Sequence, residues 1–161
     1  MRTPEMAESK IEFDFDQANA LFGRLAVKMT DMTPVMDQIG EILTTSTKQR
    51  FQQGIAPDGT PWAPNSEATL ARKRGSKPLI GRTRLLGRLI TSEASPTGVS
   101  WGSNLIYAAV QQMGAAEGVF GQNANGDPLP WGNIPARPFI GMSDNDRAAI
   151  ITTLEAFIVN D

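Results

Sequence analysis

Ile134-Pro135-Ala136-Arg137-Pro138-Phe139-Ile140-Gly141-Met142-Ser143 is the stretch on which the reading of this chain turns. Each proline fixes its own φ and drives the residue before it out of the helical region. An extended ribbon is expected, with Arg137 held in a fixed direction between Ala136 and Pro138. Phe139 to Met142 reads as a short last strand. Ser143 then caps a helix whose first turn holds Asp144 and Asp146, acids that suit the positive end of a helix dipole. Ile150, Ile151, Leu154, Phe157 and Ile158 recur at helical spacing and give that helix one apolar face.

Working outward from the ribbon, Ala115 to Trp131 is rich in Gly and Asn and reads as a long loop. Before it, Leu105 to Met113 reads as a short helix stopped by Gly114. Leu85 to Ser92 and Gly98 to Gly102 read as the strands of a hairpin, with Pro96-Thr97-Gly98 at the turn. Residues 55–80 are broken by Gly, Pro, Asn and Ser and form a second long loop, within which Glu67 to Lys73 suits a short helix. Further upstream, Thr33 caps a long helix with Pro34 at its first position. Gly54 is its stop. Ala18, Leu21, Phe22, Leu25 and Met29 make the stripe of an earlier helix that Asp16 can cap. Ile11-Glu12-Phe13-Asp14-Phe15-Asp16 alternates apolar and acidic residues, the period of a half-buried strand. The fold class expected is α+β, a small antiparallel sheet packed by helices, with two long mobile loops at 55–80 and 115–131. The whole chain, 1–161, reads as a single domain.

Composition narrows the function. The 161 residues contain neither cysteine nor histidine. Disulfides and thiol chemistry are excluded, as are zinc sites with His or Cys ligands. The commonest general acid and base is missing as well. No apolar run is long enough to cross a bilayer, and the N-terminus lacks the apolar core of a signal peptide. The net charge is only −2, yet the charge is unevenly laid out. Met1 to Thr47 holds 4 basic and 8 acidic residues, Lys48 to Ile90 holds 9 and 2, and Thr91 to Asp161 holds 2 and 7. A basic block between two acidic ones makes a surface dipole, and it allows the basic part of one copy to meet the acidic part of another.

Particular residues invite closer reading. Glu12, Asp14 and Asp16 share one face of the expected strand and have the chemistry of a divalent-cation ligand set. The solvated side of an amphipathic edge strand explains them better. Asp58-Gly59-Thr60 is a turn signal and lacks the Gly-Lys-Ser/Thr ending of a phosphate loop. Trp62, set among Pro61, Ala63 and Pro64, is either an anchor for its own loop or a hot spot for a partner. Arg72, Lys73 and Arg74, with Lys77, Arg82, Arg84 and Arg88, form the basic cluster. Docking of an acidic partner explains it better than DNA binding, because few aromatics interleave with it for base stacking. Tyr107 has no recognisable partner base, so packing is the expectation there. Arg137 suits a bidentate pair with a carboxylate; because the ribbon follows the Gly-rich loop and is expected at the surface, a pair across a subunit boundary is favoured over one within the chain.

Taken in order, these pieces resemble the phage virion morphogenesis family, the tail completion proteins of tailed phages. Arg50-Phe51 ends the long helix, and Pro57-Asp58-Gly59-Thr60-Pro61-Trp62-Ala63-Pro64 follows. Thr69, Arg72-Lys73 and Leu79-Ile80 come next, then Val99-Ser100-Trp101-Gly102 and Tyr107-Ala108 with Gln112-Met113-Gly114. The Ile134–Gly141 ribbon and Asp146 close the set. The chain departs from the pattern at Thr83-Arg84, where a Thr-Gly pair is usual, and at Gln111-Gln112, where His-Gln is frequent. The resemblance implies a structural, non-enzymatic protein of the phage neck that completes the tail and joins it to the head. It implies a homo-oligomeric ring at the top of the tail tube, with other neck, tail-terminator or tail-tube proteins as partners. It also implies a place in the virion, at the head–tail interface, after assembly in the host cytoplasm. Neither cofactor, metal, membrane nor small-molecule substrate is implied. Trp62, Arg72, Lys73, Arg74, Arg137 and Phe139 are the expected contacts with subunits or partners. The alternative is a DNA-binding accessory protein of virion assembly that uses the basic 72–88 segment, with non-specific contact to DNA in a pore.

Overall fold

The computed structural model of the protein describes residues 15–73 and 75–159. In chain order the elements are α1 (Asp16–Lys28), α2 (Thr33–Gln53), α3 (Glu67–Arg72), α4 (Leu85–Arg88), the strands β1 (Thr91–Ser95) and β2 (Gly98–Gly102), α5 (Ala108–Met113) and α6 (Asp144–Val159). The fold is α+β, as the patterning predicts. The strand expected at 11–16 lies almost wholly outside the described residues, and Asp16 opens α1 behind Phe15.

Helix α2 organises the rest. Thr33 is its first residue rather than its cap: the capping position falls on Met32, which makes no side-chain bond, while Asp31 Oδ1 accepts the Thr33 N–H at 3.0 Å. Pro34 sits in the first turn, and Gly54 closes the helix in the left-handed conformation, its N–H donating to the Arg50 carbonyl at 2.7 Å. A fourfold spacing places Val35, Ile39, Leu43, Thr47 and Phe51 on one buried edge. The first three pack with Val99 of β2 and with Ile150, Leu154 and Phe157 of α6. Phe51 joins Ala56, Trp62, Leu86, Ile90, Ala108 and Phe139 in a second cluster, and Trp101 touches both clusters. The hairpin pairs Thr91 with Gly102 and Ser95 with Gly98, antiparallel, and lies across α2. At Gly40 the helix comes so close to β1 that a Cβ would stand 2.6 Å from Ser92 Oγ.

Several expectations need correction. Leu85 to Ser92 is not one strand: Leu85–Arg88 is a helical turn, and β1 starts only at Thr91. The apolar pairs Leu85-Leu86 and Leu89-Ile90 are four residues apart, which is helical spacing. One turn of helix buries Leu86 and Ile90 together and leaves Leu85 and Leu89 exposed. Phe139 to Met142 forms no strand, because a side chain rather than a neighbouring strand satisfies its backbone. Helix α5 starts at Ala108 rather than Leu105; Ala108 is buried, while Tyr107 is exposed. Of the α6 stripe, Ile151 and Ile158 face solvent. Helix α1 buries none of its residues; Leu21 and Phe22 of its stripe are exposed, as is Met29 just beyond its end.

Both long loops carry defined hydrogen bonds. In the first, Ile55 pairs with Pro61 around the Asp58-Gly59 turn. In the second, Ala115 and Ile134 exchange backbone bonds of 2.9 and 2.8 Å. Phe120 N–H donates to Leu129 O and Leu129 N–H to Gly121 O, both at 2.8 Å. The segment is an irregular hairpin arm, closed at its tip where Asn123 Oδ1 accepts from the N–H groups of Asn125 and Asp127.

Candidate assembly interface

The quoted ribbon is held on every side. Arg137 is buried; its Nε donates to the Ala63 carbonyl and its Nη2 to the Pro64 carbonyl, each at 2.8 Å. Trp62 Nε1 donates to the Pro138 carbonyl at 2.7 Å. The Trp62 ring meets Phe51 edge-on at 5.4 Å, and Phe51 lies 5.2 Å from Phe139. The proline-rich loop and the proline-rich ribbon are thus laced together through two long side chains. The partners of Arg137 are two carbonyls of its own chain, whereas its sequence reading favoured a carboxylate across a boundary. The guanidinium keeps its planar fork and uses it internally. Burial lowers the pKa of Arg137 from its ordinary value.

On the other edge of the ribbon, Gln112 takes the place of a missing strand. Its Oε1 accepts the N–H groups of Phe139 and Ile140 at 2.9 and 3.0 Å, and its Nε2 donates to the Ile140 carbonyl at 3.0 Å. The Gln111 carbonyl accepts from Arg137 N–H at 2.8 Å. Gly114, just beyond α5, lets the chain pass: a Cβ there would lie 2.6 Å from the Ile134 carbonyl oxygen. Residue-type reasoning did not single out Gln112. The available signal was a pair of long amides, Gln111-Gln112, in an otherwise apolar helix that ends one residue later, at Met113, before an obligatory glycine.

Behind the ribbon, Arg50 of α2 makes a buried ion pair with Asp146 of α6. Arg50 Nη1 also donates to the carbonyls of Phe139 (3.1 Å) and Gly141 (2.7 Å), and Nη2 to Ser46 Oγ at 3.0 Å. Asp146 accepts from the Ser143 N–H at 2.8 Å, and its own N–H donates to Ser143 Oγ at 3.1 Å. That reciprocal pair is the helix cap expected at Ser143, with aspartate in the third position. Burial alone would raise the Asp146 pKa. The hydrogen bonds from Ser46 and Ser143 and the charge of Arg50 outweigh it and hold the carboxylate below its ordinary value. The polar groups of this frame are used on one another, and what they can do chemically is fix geometry.

The surface above the frame is different. Arg72 at the end of α3, Lys73 just beyond it, Arg82 and Arg84 before α4, and Leu129 and Trp131 of the arm line a cleft of about 1330 Å³. Trp131 is 69% exposed there. Among the described residues no carboxylate lines this cleft. Lys73 Nζ and Lys77 Nζ donate to the carbonyls of Lys77 and Gln52 and so pin the basic loop to the end of α2. Burial, and secondly the Arg137 charge, lower the Lys73 pKa. A second groove, of about 1190 Å³, runs along the outer side of α2 to the start of α6 and carries the exposed carboxylates Glu41, Asp58 and Asp144. Its free cation among the lining residues is Arg147, since Arg50 is paired.

The six side chains expected to make contacts therefore divide. Trp62, Arg137 and Phe139 are buried in the chain itself, Arg72 and Lys73 line the open cleft, and Arg74 lies outside the described residues. Glu12 and Asp14 also lie outside them. Among the described residues no group of carboxylates is arranged to hold a metal ion, and no helix is long and apolar enough to cross a membrane.

Comparison with known proteins gives this arrangement its context. The chain is 29% identical over 118 residues to "Tail completion protein S" of Escherichia phage P2, covering 68% of this chain and 72% of that protein. No solved structure matches it. The phage virion morphogenesis family matches residues 13–158, a span that takes in α1 to α6, the frame and the cleft. The chain belongs to the phage virion morphogenesis family.

Proposed function

We propose that this protein is a structural component of the phage neck that completes the tail and makes it competent to join the head. It acts as a homo-oligomeric ring at the top of the tail tube, among other neck, tail-terminator and tail-tube proteins, and it catalyses no reaction. The observation that carries this reading is the family match over residues 13–158, together with a P2 relative named for tail completion. The geometry supports it. The proline-rich motifs and the Arg50–Asp146 pair are spent on a rigid internal frame, so the chain offers partners a fixed surface instead of a reactive group. A closed ring needs two different patches on each copy. The basic cleft and the acidic groove are two such patches, with Arg72 and Lys73 in the first.

Deletion of the gene tests the proposal. Filled heads and separate tails, or tails of abnormal length, are expected, with infectivity restored when the missing protein is supplied. Normal joined particles from a clean deletion would refute it.

A further inference from the structure

The cleft between α3, the Ile80–Arg84 segment and the arm carries an unmet demand. Four cationic side chains, Arg72, Lys73, Arg82 and Arg84, converge on it without a carboxylate among the described lining residues. Mutual repulsion of like charges makes that arrangement unfavourable until anions arrive. Leu129 and the largely exposed Trp131 form its apolar wall, a surface that gains by leaving water. A smaller hollow of about 350 Å³ shares Ile80 and Arg84 with it and adds Lys48 and Arg88. The occupant must therefore be acidic and must present some apolar surface.

The chain itself carries a segment of that kind. Asp58 stands in an exposed turn braced by the Gly59 N–H to Ala56 carbonyl bond (2.9 Å) and the Ala56 N–H to Thr60 carbonyl bond (2.8 Å). Its Oδ1 accepts the Thr60 N–H at 2.9 Å. Pro57 flanks it, and Asp144 and Glu41 border the same groove. A braced turn loses little entropy on docking.

We propose that the basic cleft is the receiving half of a head-to-tail contact between copies of this chain, and that the entering half is the acidic corner of the next copy, Asp58 with Asp144 and Glu41. The proposal rests on the ring reading above and gives it two named surfaces. They differ, so the contact is heterologous and can propagate around a ring. Charge complementarity favours a second copy over nucleic acid. The chain is acidic overall, with a sequence pI of about 5.2, and among the described residues the cleft offers one aromatic ring where strand binding uses several.

Charge exchange on the full chain tests this. The Arg72→Glu/Arg82→Glu protein alters the cleft, and the Asp58→Lys/Asp144→Lys protein alters the corner; circular dichroism and melting establish that both are folded. Sedimentation velocity should show wild-type protein associating with concentration, and less so at high salt. Each variant alone should dissociate at least about tenfold more readily. A mixture of the two should associate again, because each reversed patch meets its opposite on the other variant. Wild-type association that neither variant disturbs would overturn the proposal and leave the ring reading standing. A wild-type chain that stays monomeric in solution and yields no copy-to-copy carbodiimide crosslinks in assembled tails would overturn both. Loss of DNA retention in the cleft variant, with association unchanged, would assign the cleft to nucleic acid instead.

Discussion

Trp62 and Trp131 stand in similar sequence, each directly after a proline and close to glycine-rich turns, and they come to opposite ends. Trp62 is 6% exposed and Trp131 is 69% exposed. The proline ring stiffens the approach to both, but stiffness does not choose a side. What decides is the neighbour each meets. The turn after α2 folds back so that Trp62 N–H donates to the Gly54 carbonyl at 2.9 Å, which drops its ring between Phe51 and the ribbon. Trp131 sits on an arm whose backbone pairs with itself, so its ring is left over for the cleft. One tryptophan closes the fold, and the other is available to a partner.

The contrast can be broken by substitution. Trp62→Ala removes a buried ring and the bond to the Pro138 carbonyl, and it should cost about 3–5 kcal/mol in urea denaturation. A loss below about 1 kcal/mol would mean that the loop is not anchored by this side chain. Asp146→Ala belongs to the same class. It strands the buried Arg50 and should also cost about 3–5 kcal/mol.

The Asp146 carboxylate gives that frame a pH signature. Its pKa is lower in the folded chain than in the unfolded one. The stability it contributes is therefore present above the unfolded pKa of about 3.9 and is lost as the pH falls through the lower folded value. The wild-type melting temperature should drop across that window, and the drop should be shallower in Asp146→Asn. A parallel pH dependence in the two proteins would point to other carboxylates.

Gln112→Leu keeps the size of the side chain but removes its stand-in for a strand. The N–H groups of Phe139 and Ile140 lose their acceptor, at a cost of about 1–3 kcal/mol. Hydrogen exchange should quicken first at these two amides; unchanged protection there would show that another group holds the ribbon. Trp131→Ser completes the series with the smallest expected effect on stability, within about 0.5 kcal/mol, while lowering yields of joined particles. If it destabilises the monomer as Trp62→Ala does, the two tryptophans do the same work and the contrast fails.

The parts of the fold that were legible in the sequence are those set by local rules. Pro34 and Gly54 mark the two ends of α2, although Thr33 begins the helix without capping it, and Ser143 with Asp146 caps α6, because cap and turn chemistry acts within a few residues. The hairpin's second strand and its turn followed in the same way. The turn of α4 was lost because a short apolar run fits strand and helix alike until its spacing is counted. The frame was half legible. Proline positions announced a rigid ribbon, but not that Gln112 would serve as its neighbour, since that contact closes across 27 residues. Nor could local patterning bring Trp131 to Arg72 and Arg82, a meeting that depends on the arm's path through Ala115 and Ile134.

Helix α2 has one more consequence. Its first half supplies Val35, Ile39 and Leu43 to one apolar cluster and its last turn supplies Phe51 to the other, while Trp101 of the hairpin is shared by both. Neither cluster can open without taking a length of the same helix with it. The two clusters should therefore melt in one step, with neither left folded when the other opens. A surface mounted on such a helix would be presented whole or not at all.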